Sequence, residues 1–269
     1  METNAKVASR PQSHLFDLSG KVAVITGSSR GIGRAIAVDC AKMGAKVVVS
    51  SRKIDACKAV VDEIKAAGGE ATAIACNVGR KLDLESLVAR AMAEYGRIDI
   101  LVPNAAINPA FGPSADVTDE IWNKVLTSNL TATHWLCNMV LPGMAERGGG
   151  AIVVISSIAA VFGNAKLGIY AISKAAEAQL VRNLAVEWGP RNIRVNAIGP
   201  SVIRTDFAKA LYENPKAAEA VSNRTCLKRI GDPEDVSGVA VFLASDAARY
   251  VTGQLLLVDG GTSIYLPSG

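Results

Sequence analysis

The chain has 269 residues, 49% of them hydrophobic and 5% aromatic, and a formal net charge of +4. That length suits one large α/β unit that buries roughly 70–75% of its unfolded surface, enough for a core that holds a small-molecule cofactor. Dispersed Lys and Arg without a basic run argue against nucleic acid or a membrane surface as partner, no apolar stretch is long enough for a membrane span, and five scattered cysteines with two histidines offer no zinc cluster.

Residues 1–18 are polar and aperiodic and read as a mobile lead-in to a single domain over 19–269. From Lys21 onward, short apolar runs alternate with longer amphipathic stretches. A strand over Val22–Thr26 is followed by a helix over Gly33–Met43, and a strand over Lys46–Ser50 by a helix over Ile54–Ala67. Ala71–Cys76 and Ile98–Val102 are the next strands, with helices Leu82–Tyr95 and Thr118–Leu141 after them. Asp116 or Thr118 is the expected cap of the last of these, and Pro142 its expected end. Ala151–Ser156, the helix Ile169–Trp188, and the strands Ile193–Ile198 and Gln254–Val258 complete the series. About seven strands joined by helical crossovers predict a single-domain, Rossmann-type doubly wound parallel sheet with helices on both faces. Gly44, Gly68, Gly69, Gly96 and Gly148–Gly150 stand where helices must stop. The segment 201–230 breaks the rhythm. An insertion after the carboxyl end of a strand is expected to cover the ligand crevice.

The first strand runs into Thr26-Gly27-Ser28-Ser29-Arg30-Gly31-Ile32-Gly33 and then a helix. Glycines let the backbone approach a pyrophosphate, and the helix N-terminus offers unpaired N–H groups and the positive end of its dipole. Two rivals use the same residues. Gly27-x-Ser29-x-Gly31 has the form of a hydrolase nucleophile elbow, but His134, within a helical stretch, is its sole downstream histidine. A phosphate-transfer loop would require Gly-Lys-Ser/Thr, which is missing. The second strand ends in Ser50-Ser51-Arg52-Lys53, without the acid that binds the ribose hydroxyls of NAD. Ser51 and Arg52 suit the 2′-phosphate of NADP, with Arg30 as a second cation. NADP(H) is therefore expected as the cofactor, and NAD(H) stays open.

Tyr170-Ala171-Ile172-Ser173-Lys174 places Tyr170 and Lys174 on one helical face. A free tyrosine ionises near ~10, and an adjacent ammonium is expected to bring the phenol toward the working range. Ser157, just past the fifth strand, is positioned to hold a substrate oxygen. Tyr-x-x-x-Lys alone is weak; joined to the strand-end serine and the glycine turn it points to hydride transfer between a carbonyl and an alcohol.

With these motifs, from roughly Leu18 to Ile264, the sequence resembles the short-chain dehydrogenase/reductase family. The resemblance implies that Thr26, Gly27, Ser29, Arg30, Gly31, Ile32 and Gly33 hold the cofactor diphosphate side. Asn77 and Val78 would lie by the adenine, and Asn104 and Ala105 on the nicotinamide side. Pro103 and Ala106 depart from the family's Asn-Asn-Ala-Gly, as Ser201 departs from its Asn-x-x-Pro-Gly. Pro200, Ile203 and Thr205 would border the carboxamide, Lys174 the ribose, and Asn129 would hold a relay water as a fourth catalytic residue beside Ser157, Tyr170 and Lys174. Asn108, Phe111, Ile158, Phe162, Phe207 and Leu211 are the implied substrate pocket.

The stretches Asn104–Val117 and Ser50–Lys53 are similar to the family's NADP-dependent reductases of dicarbonyls, ketones and retinal. A 3-oxoacyl-thioester reductase of fatty-acid synthesis is the alternative enzyme, and a non-catalytic dinucleotide-binding regulator the alternative of another class. The resemblance also implies a homotetramer paired through the two longest helices. The cysteines read as reduced, buried thiols, and neither a signal peptide nor a Ser-Lys-Leu-type ending is seen, so a cytoplasmic location is expected.

Overall fold

The computed structural model describes residues 15–265. Among these residues, seven parallel strands form one sheet in the order β3-β2-β1-β4-β5-β6-β7. They are β1 Val22–Thr26, β2 Lys46–Ser51, β3 Glu70–Ala75, β4 Ile100–Val102, β5 Gly150–Ile155, β6 Ile193–Pro200 and β7 Leu255–Val258. Helices α1 Gly31–Lys42, α2 Ile54–Ala66 and α8 Pro233–Ala244 cover one face; α3 Lys81–Tyr95, α5 Ala132–Glu146 and α6 Gly168–Trp188 cover the other. Both faces of β1 are therefore dry, with Ala23 and Ile25 packing toward α1 and Val24 toward the opposite layer. This explains why the inner strands read as continuous apolar runs rather than alternating ones. The order reverses between β1 and β4, and such a switch opens a crevice at the carboxyl ends of the strands.

Several expectations are corrected. The expected lead-in 1–18 lies mostly outside the described residues, but residues 15–18 are packed. The Leu15 carbonyl accepts from Ala247 N at 3.0 Å, the Phe16 ring lies 6.4 Å from that of Phe242, and Leu18 is buried. β4 starts at Ile100 rather than Ile98, because the Asp99 carboxylate, not a backbone carbonyl, accepts from Val22 N at 2.9 Å. The helix expected over Thr118–Leu141 is α4 Asp119–Leu126, one widened turn at Thr127–Thr131, and α5. Thr118 does cap it, accepting from Ile121 N at 3.4 Å. α5 runs through Pro142 to Glu146, since Leu141 and Met144 on its last turns are fully buried and their packing outweighs the lost N–H donor.

The segment after β6 holds a short 3₁₀ turn at Asp206–Leu211 and a helix, α7 Pro215–Asn223. It folds back over the crevice, and a bridge between Ile203 and Gly231 closes its base. No helix among the described residues is long and apolar enough to cross a membrane.

Candidate active site

A cavity of about 1340 Å³ opens at the carboxyl ends of the strands, where the sheet order reverses. Its inner wall is the turn between β1 and α1. Gly27 and Gly31 there adopt φ of +66° and +56°, which side chains rarely tolerate. At Gly33 the constraint is spatial: a Cβ would stand 2.5 Å from the Gly27 carbonyl and 2.5 Å from Asn104 Nδ2. Asn104 fastens the end of β4 to this turn, donating to Thr26 O at 2.8 Å and Gly27 O at 3.1 Å. Thr26 Oγ1 in turn accepts from the amides of Asn104 and Ala105. Pro103 is tolerated because the position works as an acceptor, its carbonyl receiving Ile155 N at 2.9 Å.

The donor set fits a dinucleotide diphosphate. The N-terminus of α1 has no side-chain cap and no acidic residue in its first turn, so its N–H groups and dipole face the cavity unopposed. Ser50 Oγ, also on the wall, is buried without a partner. Ser51 and Arg52 line the cavity beside it; Arg52 is exposed, and Ser51 Oγ lies 3.1 Å from the Cys57 thiol. Arg30 lines it too, but its guanidinium pairs with Asp206 of the covering segment at 2.9 Å across the mouth. Ser29, Ile32, Asn77, Val78, Pro200, Ile203 and Thr205 all reach the same wall. Thr205 sits over Gly31, and Ser201 is tied to Thr262 at 3.3 Å.

Ser157, Tyr170 and Lys174 meet at the inner end of the cavity. Ser157 caps the short turn Ile158–Ala160, accepting from Ala159 N at 3.1 Å. The Tyr170 ring lies 5.7 Å from Lys174 Nζ and 6.1 Å from the tilted Phe207 ring above it. Lys174 is the largest side chain buried to this degree, and its ammonium donates to the Ile155 carbonyl at 2.9 Å and to Glu177 Oε2 at 2.9 Å. The phenol does not move downward as expected. Burial pushes it above the ordinary tyrosine value; the Lys174 charge opposes this, Glu177 adds to it, and Ser157 opposes it. Burial also works against the Lys174 ammonium, but the charges of Glu177 and Tyr170 outweigh it and hold the group above its usual value.

Asn129 is the one expected site residue that does not reach the cavity. It is fully buried in the widened turn, accepting from Ile107 N at 2.9 Å and donating to Ile107 O at 3.1 Å and Ser173 Oγ at 3.0 Å. Ser173 passes the connection on, donating to Tyr170 O at 2.7 Å. Asn129 thus braces the wall segment of residues 107–108 against α6. His134 is exposed on α5, paired with Asn138 and away from Ser29, which leaves the hydrolase reading without a base. Glu177 and Ser173 were missed by sequence reasoning. The available signal was position: Tyr170, Lys174, Glu177, Val181 and Leu184 fall on one buried helical face.

The outer half of the cavity is apolar. Phe111, Phe162, Phe207 and Leu211 line it while remaining 42–65% exposed, so they are not core residues. Ile158 lies deeper, and Asn108 contributes a buried Oδ1 without a partner.

Comparison with known proteins agrees with this geometry. Residues 27–263 match the family described as enoyl-(acyl carrier protein) reductase. A Bos taurus protein named "Dehydrogenase/reductase SDR family member 4" is 43% identical over 98% of this chain and 94% of its own length. The solved structure of a 7α-hydroxysteroid dehydrogenase with NADH and 7-oxo glycochenodeoxycholic acid superposes with a TM-score of 0.90 at 39% identity, covering 94% of this chain and 98% of that one. An Escherichia coli hydroxysteroid dehydrogenase does so with a TM-score of 0.82 at 40% identity, over 91% and 98%. With its sheet order, its glycine turn and relatives at this identity over nearly the whole length, the chain belongs to the short-chain dehydrogenase/reductase family and is an NAD(P)-dependent oxidoreductase.

Proposed function

We propose that this chain is an NADP(H)-dependent oxidoreductase acting on a hydrophobic ketone or dicarbonyl and the corresponding secondary alcohol. The observation that carries the reading is the shared cavity: Ser157, Tyr170 and Lys174 face the same space as the glycine turn, under a rim of exposed Phe111, Phe162, Phe207 and Leu211. The glycine turn, Asn104 and Thr205 would hold a nicotinamide dinucleotide, which when bound would supply or accept the hydride. Ser157 donates a hydrogen bond to the substrate carbonyl oxygen, and Tyr170 delivers the proton as that oxygen becomes negative. Lys174 stabilises the phenolate left on Tyr170. Phe207, tilted over the Tyr170 ring at 6.1 Å, shields one side of the proton being moved. Asn129 serves as a brace that keeps Ile107 and α6 in place, in line with its side-chain bonds to both.

The preference for NADP over NAD rests on Ser51 and exposed Arg52 at the end of β2, where no carboxylate would repel a 2′-phosphate. A second reading, a 3-oxoacyl-thioester reductase, is favoured by Lys124, Lys166 and Arg224 along the cavity, which suit an acidic carrier. We further propose a homotetramer in a reducing, cytoplasmic setting. Exposed Ile172 and Val186 on α6 support helix pairing between subunits, and the buried free thiols of Cys40, Cys57, Cys76 and Cys137 support the compartment.

A spectrophotometric screen of small diketones, hydrophobic ketones and acyl-carrier thioesters, with NADPH and NADH in parallel, tests the reading. Oxidation of NADPH by diketones or ketones is expected, with Tyr170→Phe inactive yet still binding NADPH. Full activity in Tyr170→Phe overturns the mechanism, and preferential turnover of carrier thioesters overturns the substrate class.

A further inference from the structure

The buried face of α6 carries a charge that the mechanism above does not use. Glu177 lies one turn beyond Lys174, is 2% exposed, and receives the Lys174 ammonium at 2.9 Å. The groups facing it come from three elements. Lys174 and Tyr170 stand on α6, Thr133 and Cys137 on α5, and Ser156 at the end of β5. The hydroxyls of Thr133 and Ser156 lie beside the carboxylate but donate to the carbonyls of Asn129 at 2.7 Å and Lys174 at 3.0 Å, and among the described residues Lys174 is the cation paired with it.

Such a pair is a poor way to stabilise a core. Desolvating two charges costs about as much as their attraction returns, and a packed apolar side chain at the same place does as well or better. Val181 and Leu184, further along the same face, show what ordinary packing there uses. The carboxylate therefore calls for a role tied to its partner.

We propose that Glu177 is a positioning residue: it fixes the Lys174 ammonium beneath the Tyr170 ring and offsets its charge, so that the proton on Tyr170 belongs to a Tyr–Lys–Glu group. The proposal rests on the proton-carrying role given to Tyr170 above. Position follows from the two bonds on Nζ: without Glu177 the ammonium keeps only the Ile155 carbonyl. Charge follows from counting. With Glu177 ionised, the phenol, ammonium and carboxylate sum to zero; with the carboxylate removed, they sum to plus one. A buried site disfavours net charge, so the group without Glu177 gives up its first proton at lower pH, whichever member loses it. The direction in which Glu177 moves the phenol, upward, agrees.

The test has two arms. In the first, the tyrosinate absorbance of the full chain is titrated, and the Tyr170→Phe signal is subtracted to isolate Tyr170. The titration needs no turnover and is repeated with Glu177→Gln. Tyr170 is expected to titrate at lower pH in the Gln variant than in the intact protein, and equal midpoints overturn the proposal. In the second, Glu177→Gln and Glu177→Asp are compared for the pH profile of alcohol oxidation with NADP and for NADPH affinity. The Gln variant is expected to shift the rising limb to lower pH and to weaken NADPH binding severalfold, whereas Asp, which keeps the charge, restores the original profile. Profiles that superimpose for all three proteins overturn it. If no carbonyl is turned over by the unaltered chain, the functional reading fails while the first arm still decides the Tyr–Lys–Glu group.

Discussion

Replacing Asn129 by Ala separates a brace from a relay. Asn129 is fully buried and its side chain satisfies three groups: Ile107 N at 2.9 Å, Ile107 O at 3.1 Å and Ser173 Oγ at 3.0 Å. Ser173 keeps an acceptor after the change, because its hydroxyl already donates to Tyr170 O at 2.7 Å. The two backbone groups of Ile107 lose their partner. Ile107 is half-buried, so each orphan stands at the low end of the about 1–3 kcal/mol that a buried one costs, and the variant should lose about 2 kcal/mol. For a domain of this size each kcal/mol moves Tm by about 2–4 °C, which places the fall at about 4–8 °C. Ile107 and Asn108 line the cavity, so NADPH affinity should fall along with stability. Calorimetry for Tm and fluorescence quenching for NADPH binding read the two quantities on one preparation. Turnover lost beyond what the falls in stability and NADPH affinity account for would add a relay role to the brace. An Asn129→Ala protein that melts within ~2 °C of the original refutes the brace, since the cost assigned to each orphan admits no such result.

Two further outcomes follow from particular contacts. Gly33→Ala puts a Cβ 2.5 Å from the Gly27 carbonyl, a backbone atom that cannot swing aside; stability should drop by about 1–3 kcal/mol and NADPH binding should be lost, and an affinity equal to the original would show that the turn yields more easily than its geometry implies. Near the covering segment, the Arg229 guanidinium holds the Asp235 carboxyl down at about 2 through bonds of 2.6 Å and 2.7 Å. A depressed carboxyl stabilises the fold above its unfolded value near ~4 and loses that contribution as the pH falls through its folded value. The stability difference between the intact chain and Arg229→Gln, measured by urea unfolding, should therefore shrink as the pH falls from about 4 to 2; a difference that stays constant over that window speaks against the pair.

The sequence by itself determined the sheet and the chemistry. Continuous apolar runs such as Val22–Thr26 read as inner strands because both faces of a parallel sheet are dry, and the local order of strand, glycine turn and helix needs no distant residue to be recognised. Tyr170 and Lys174 were legible for the same reason: four-residue spacing on a helix is a local fact. Contacts across the fold decided the rest. The family pattern implies a relay at Asn129, but that its side chain also ties Ile107 to Ser173, 22 and 44 residues away, is visible only in the fold. Leu18 looked like part of a loose lead-in until its amide met Met43 O. Glu177 drew no notice among ordinary helical charges. Only the packing of α5 and β5 against α6 removes water from it and joins it to Lys174, because burial is a property of neighbours that a local pattern does not contain.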